Sequence, residues 1–213
     1  MKPIIFNTEM VRALLDGRKT VTRRVIKPQP EGKPVPMTKS GCWPGYFAIQ
    51  GTDKVVRPPF LPGDVLWVRE TWAHPSEKEI LAGAEQNKYL YKADTPAQPC
   101  AWDRWHPSIH MPREAARLFL RITDVQVERL WEITEDGAKA EGAVKSYPYT
   151  DPETGKTAFM LDEKGTYRSG FSQIWDRTIK PADRPTYGWE ANPWVWVISF
   201  EKITKEEAEN KRR

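Results

Sequence analysis

Leu14-Leu15-Asp16-Gly17-Arg18-Lys19-Thr20-Val21-Thr22-Arg23-Arg24 changes backbone period within a few residues. Upstream of it, Val11, Leu14 and Leu15 recur at helical spacing, behind Asn7 or Thr8 as a cap and Glu9 in the first turn. Gly17 stands just past the last apolar residue, where a chain leaving a helix turns left-handed and glycine does so at little cost. Downstream, Thr20, Val21, Thr22 and Val25 are β-branched and suit a strand. The stretch therefore reads as a helix over 8–16 feeding a strand over 19–25. Alternate strand residues share a face, so Arg18, Thr20, Thr22 and Arg24 fall on one side and Lys19, Val21 and Arg23 on the other. An irregular first residue or two would let Lys19 swing toward Thr22. The bland alternative is that these basic residues neutralise the carbonyl end of the preceding helix.

Further along, 65–72 (Val-Leu-Trp-Val-Arg-Glu-Thr-Trp) follows a Pro62-Gly63-Asp64 turn and reads as a strand. So does 117–128, with Leu118, Leu120, Ile122, Val125 and Val127 apolar, and so does Trp194 to Phe200. The last is apolar at nearly every position, so both of its faces are expected to be covered. Short strands are expected at 46–50 and 89–92, and helices at 134–141 and around Phe171–Trp175. Prolines 28, 30, 34, 36, 44, 58, 59 and 62 make 27–62 an irregular insertion. The polar stretch 145–168 reads as a second one. Short helices among several strands indicate an α+β fold. The chain is expected to form one domain over 1–203, with a charged, helical or frayed tail at 204–213.

The bulk numbers exclude several classes. The chain has 213 residues and a net charge of +4, with ten tryptophans and 19 prolines. No apolar run approaches the roughly 18–20 residues of a membrane-spanning helix. Ile4-Ile5-Phe6 is too short for a signal-peptide core, so a cytoplasmic location and no membrane partner are expected. Cys42 and Cys100 lie in no CxxC and imply neither a disulfide framework nor structural zinc. The basic balance suits a polyanionic partner, and the tryptophan load suits both core packing and base stacking.

The 14–24 stretch resembles the opening signature of the ASCH family, an apolar helix followed by Gly-x-Lys-x-x-Thr-x-Arg. Pro62 to Glu70 resembles that family's second block. Val125 to Glu128, Leu130, Ile133 to Asp136 and Ala140-Glu141-Gly142 resemble its third. Ser108 to Arg113 and Asn192 to Val197 are similar to markers of a larger, bacteriophage-encoded type. The resemblance implies a small PUA-like β-barrel with flanking helices and two insertions. It also implies a cleft beside the first helix and an RNA or modified nucleoside as the partner. Some members hydrolyse N4-acetylcytidine, which implies Thr22 as nucleophile, Lys19 as base and Glu141 as acid/base. Arg18, Arg23 and Arg24 would bind substrate or phosphate, joined by Arg69, Glu70, Trp72, His110 and Arg113. Ribonuclease chemistry and a phage protein-interaction module with a non-catalytic pocket are the alternatives, and a protein partner is left unspecified.

Thr22 is a weak nucleophile unless a base removes its proton, and Lys19 serves only if burial or the neighbouring arginines depress its pKa. Strand alternation pairs Trp67 with Arg69 and Glu70 with Trp72, as pocket lining or as a structural hydrogen-bonded pair. His106 and His110, with Cys100 and Asp103 nearby, have the residue types of a metal site, but Pro107 and Pro112 exclude a regular helix between them. No cofactor is expected: there is no P-loop and no GxGxxG. No Gly-x-Ser-x-Gly elbow occurs either.

Overall fold

The computed structural model describes residues 1–37, 45–74, 89–94, 104–150 and 157–210. The expected helix is α1 (Thr8–Leu15). Asn7 caps it by accepting from the Met10 N–H at 2.8 Å, and Met10, Val11, Ala13 and Leu14 form its buried stripe. Gly17 takes a φ of 73° at its end. The chain divides into two compact units. One comprises 1–17, 63–122 and 200–213; the other comprises 18–62 and 123–199.

In the first unit, β1 (Lys2–Ile5) runs parallel to β6 (Val65–Arg69), and β6 runs antiparallel to β9 (Phe119–Arg129). The strand expected through Trp72 breaks at Glu70, and β7 (Trp72–Ala73) then pairs with β8 (Leu90–Tyr91). Trp67, Phe119, Ile203 and Ala208 form one core cluster; Trp72, Tyr89, Met111 and Ala115 form another. The charged tail is helical over α5 (Lys205–Asn210), which buries Ala208.

In the second unit, β2 (Val21–Val25) pairs antiparallel with β12 (Trp194–Ile203) from Val25↔Val195 to Val21↔Ser199. α2 (Glu135–Ala140) starts at the Thr134 cap, and α3 (Tyr167–Thr178) starts at the Thr166 cap. A one-turn helix, α4, spans Arg184–Tyr187. The core here joins Leu130, Ile133, Ala138, Phe171, Trp175 and Val195. Trp194 and Trp196 are both buried, as the final strand's pattern requires.

Both insertions hold more regular structure than their composition implies. In 27–62, β3 (Pro34–Pro36), β4 (Phe47–Ile49) and β5 (Val55–Val56) form a small sheet. β3 lies at its edge, where proline's missing N–H costs no ladder bond. In 145–168, β10 (Ser146–Thr150) and β11 (Thr157–Leu161) form an antiparallel pair.

The longest sheet hydrogen-bonds in the order β1-β6-β9-β12-β2. Its two ends do not pair, and no closed barrel is present among the described residues. The architecture is mixed α+β, with several sheets and short helices. No helix among the described residues is long and apolar enough to cross a membrane.

Candidate functional site

Lys19 and Glu141 each stand at a helix exit, and the backbone around them pairs directly. Lys19 follows the turn that ends α1, and Glu141 is the residue that ends α2. The backbone pairs the two segments: Lys19 bridges Glu141 antiparallel, and the Thr20 N–H donates to Ala140 O at 2.9 Å. Arg18, exposed, donates to Gly142 O at 3.3 Å. Gly142 has a φ of 85°, the left-handed turn that lets the chain leave α2 immediately after Glu141.

The Lys19 ammonium uses its three N–H groups on Val21 O at 2.9 Å, Glu141 O at 2.8 Å and Glu141 Oε2 at 2.6 Å. The two side chains are 2% and 5% exposed, so the pair is fully desolvated. The other carboxylate oxygen of Glu141 accepts from Arg23 Nη1 at 3.2 Å. Arg23 Nε donates to Glu128 Oε1 at 2.6 Å, and its guanidinium lies 5.8 Å from the Phe171 ring centre. Gly137 makes room for it: a Cβ there would meet Arg23 Nη2 at 3.2 Å.

The chain of charges is therefore Lys19–Glu141–Arg23–Glu128, with Arg24 within electrostatic reach of Glu141. Burial pulls the Lys19 pKa below its usual value; Glu141 opposes that, while Arg24 and Arg23 add to it. Burial likewise lowers Arg24, against the pull of Glu141. Lys19 and Arg23 thus pair directly with Glu141, Arg23 pairs with Glu128 as well, and the charge of Arg24 adds to the field at Glu141.

Thr22 is buried but sits on the other face of β2 from Arg23. The register shows this: Thr22 pairs with Ile198 and Arg24 with Trp196, whereas Arg23 pairs with Val197. Val197 and Val25 pack with the Phe171 cluster, on the α2–α3 side. Arg23 therefore pairs directly with Glu141, and Glu128 completes the network. Glu128 ends an apolar strand run, and nothing in its spacing points to Arg23.

The remaining expected residues lie in the first unit and form a network of their own. Glu70 is 1% exposed. It takes a two-pronged ion pair from Arg117, Nε to Oε1 at 2.8 Å and Nη2 to Oε2 at 2.9 Å. Arg117 also reaches Asp94 at 2.6 Å and lies 3.9 Å over the Tyr91 ring. Burial raises the Glu70 pKa against the pull of Arg117, and lifts the Tyr91 hydroxyl to about 12. Arg69 donates to the Ile109 and Met111 carbonyls and lies over Trp67, the neighbour that alternation gave it.

Trp72 is buried, with His106 stacked on it at 4.8 Å and 29° and Tyr89 edge-on at 5.5 Å. One face a base would need is already taken. His110 is exposed on a 3-10 turn (Ser108–His110), and Arg113, also exposed, donates to Met1 Sδ at 3.8 Å. Cys100 and Asp103 lie outside the described residues. Among the described residues no three His, Cys, Asp or Glu side chains are grouped to hold a metal ion.

The chain matches no protein-family model, no curated protein and no solved structure.

Proposed function

We propose that the chain is an ASCH-type, PUA-like protein that binds a modified nucleoside in RNA at the Lys19–Glu141 centre. The observation that carries this reading is the buried Glu141 carboxylate held directly between Lys19 and Arg23, with the Arg24 charge near enough to act on it. Desolvated cations held this close favour either an anionic group beside them or loss of the Lys19 proton. A nucleotide phosphate answers the first demand, and guanidinium groups suit it in charge and shape. The resemblance of 14–24, 62–70 and 125–142 to the family blocks supports the nucleoside class.

A second reading follows from the second demand. Lys19 has a lowered pKa, which is what a general base on a hydroxyl or water needs. In that reading the protein removes the acyl group from an N4-acetylcytidine-like nucleoside. Because Thr22 lies on the opposite face of β2 from Arg23, Lys19 takes a proton from water in its place. The water oxygen joins the acyl carbon, and Glu141 passes the proton to the leaving amine, giving cytidine and acetate.

Thermal-shift titration with N4-acetylcytidine and its 5′-monophosphate tests the first reading, because a true ligand raises Tm by mass action. The monophosphate is expected to give the larger shift, and Arg23→Gln is expected to abolish the difference. No shift from either compound sinks the reading. Release of cytidine, followed by chromatography and lost in Glu141→Gln, decides for hydrolysis.

A further inference from the structure

α3 has a second working face. Gly170, Phe171 and Trp175 are its buried stripe. Arg168, Ser169, Ser172, Gln173, Asp176 and Arg177, spaced at one helical turn, floor a cavity of about 930 Å³ in the same unit. That volume lies within the roughly 300–1,000 Å³ of ligand sites. The floor is built rather than incidental. Ser146, fully buried, accepts from Gln173 Nε2 at 2.7 Å and lies 3.5 Å from Ser169 Oγ, which fixes the Gln173 amide.

The walls alternate aromatic faces with cations. Phe159, on β11, is 40% exposed at one side; Trp189 lines the other. Arg168, Arg177 and Arg184 stand exposed at the rim. Arg168 is held by one bond to Trp131 O at 2.8 Å and lies 5.7 Å over Trp189; Arg184 is held by one bond to Asp176 O at 3.2 Å. A guanidinium has five N–H donors, so each retains others. Of the acids in the lining, Asp176 accepts the Trp189 N–H at 2.8 Å, and Glu190 is exposed. From 164 to 184 the chain carries five basic side chains, Lys164, Arg168, Arg177, Lys180 and Arg184, against Asp176 and Asp183.

We propose that this groove holds an extended single-stranded nucleic acid, with phosphates on Arg168, Arg177 and Arg184 and bases against Phe159 and Trp189. An acidic peptide would use the arginines and leave the aromatic faces idle. A duplex would keep its bases stacked away from them. Trp131, 42% exposed and bonded through its indole N–H to Trp189 O at 2.7 Å, extends the aromatic track beyond the groove. The inference does not depend on the chemistry of the Lys19 centre.

The test is fluorescence anisotropy on the full chain over a salt series. The probes are fluorescein-labelled dodecauridylate, dodecathymidylate and oligoglutamate of equal length. The wild type is expected to bind both oligonucleotides. In Arg168→Gln/Arg177→Gln/Arg184→Gln the slope of log K against log salt should flatten by about 2, since each phosphate contact on a single strand contributes about 0.7. Phe159→Ala, at an exposed position, should lose about tenfold in affinity through stacking alone.

Equal binding of the two oligonucleotides supports readout of backbone and base faces common to both. Tighter uridylate binding supports RNA as the occupant. An unchanged slope and affinity in the triple variant overturns the proposal, and so does oligoglutamate binding as tight as the oligonucleotides. The triple variant should keep its thermal shift with N4-acetylcytidine, so loss of one site is distinguishable from loss of the other.

Discussion

Lys19 is an ion-paired lysine whose pKa is nevertheless lowered. Desolvation outweighs Glu141, and the charges of Arg24 and Arg23 add to the lowering. The sign of the pH effect follows. Between the lowered folded value and the unfolded 10.5, the unfolded chain binds the proton and the folded chain does not. Stability from this group therefore rises with pH through that window. Lys19→Met removes the titration and leaves Glu141 with Arg23 as its direct ion pair. At neutral pH it should cost about 3–5 kcal/mol, toward the lower end because Arg23 still neutralises the carboxylate. Urea denaturation from pH 7 to 10 should show the gap between wild type and variant widening as pH rises; parallel curves would refute a depressed Lys19. Lys19 and Glu141 were legible from the sequence through their place among the family-like blocks. The direct contact of Arg23 with Glu141 was not. Alternation assigns Arg23 and Arg24 to opposite faces, but only the β12 register, Val197 against Arg23, shows which face meets α2 and α3.

At the scale of elements, α1 and the long strands followed from local pattern, because each buries a periodic apolar face. The β10–β11 hairpin did not, since Pro148, Tyr149, Thr150, Phe159, Met160 and Leu161 are all exposed and leave no buried alternation to read. It shows itself only through pairing. The same holds for the prolines of β3, which read as breakers until an edge position makes them harmless. Two glycines separate local from tertiary constraint. Gly170 lies inside α3, where alanine is ordinarily better by about 1 kcal/mol. A Cβ there would run into the carbonyl oxygen of Val144, a backbone atom that cannot swing aside. Gly170→Ala should therefore destabilise by about 1–3 kcal/mol, the cost of overpacking. Gly17→Ala meets nothing within 4 Å and carries only the φ of 73°, so it should cost about 1 kcal/mol. Thermal melting of the two variants checks the order, and a stabilised Gly170→Ala would show that α3 does not pack so closely against Val144.

At the scale of the molecule, the charge centre and the groove lie in one unit and meet through α3. Phe171 on its buried stripe faces the Arg23 guanidinium, while Arg168 and Gln173 on its open stripe line the groove. The start of α2 is tied to the start of α3 by Glu135, whose carboxylate accepts from the Tyr167 and Arg168 N–H groups at 2.8 and 3.2 Å. A strand that presents one modified nucleoside to the Lys19 centre and lays its neighbours in the groove binds twice through one chain. The second contact then forms at the effective concentration set by the intervening nucleotides, not at bulk concentration. An oligonucleotide with a central N4-acetylcytidine should therefore bind at least about 100-fold more tightly than either the free nucleoside or the unmodified oligonucleotide. Removing Arg168, Arg177 and Arg184 together should erase that advantage for the oligonucleotide and leave the free nucleoside untouched. Calorimetric titration of the three ligands measures this directly. An acetylated oligonucleotide that binds no better than its tighter component would mean that one strand cannot occupy both sites.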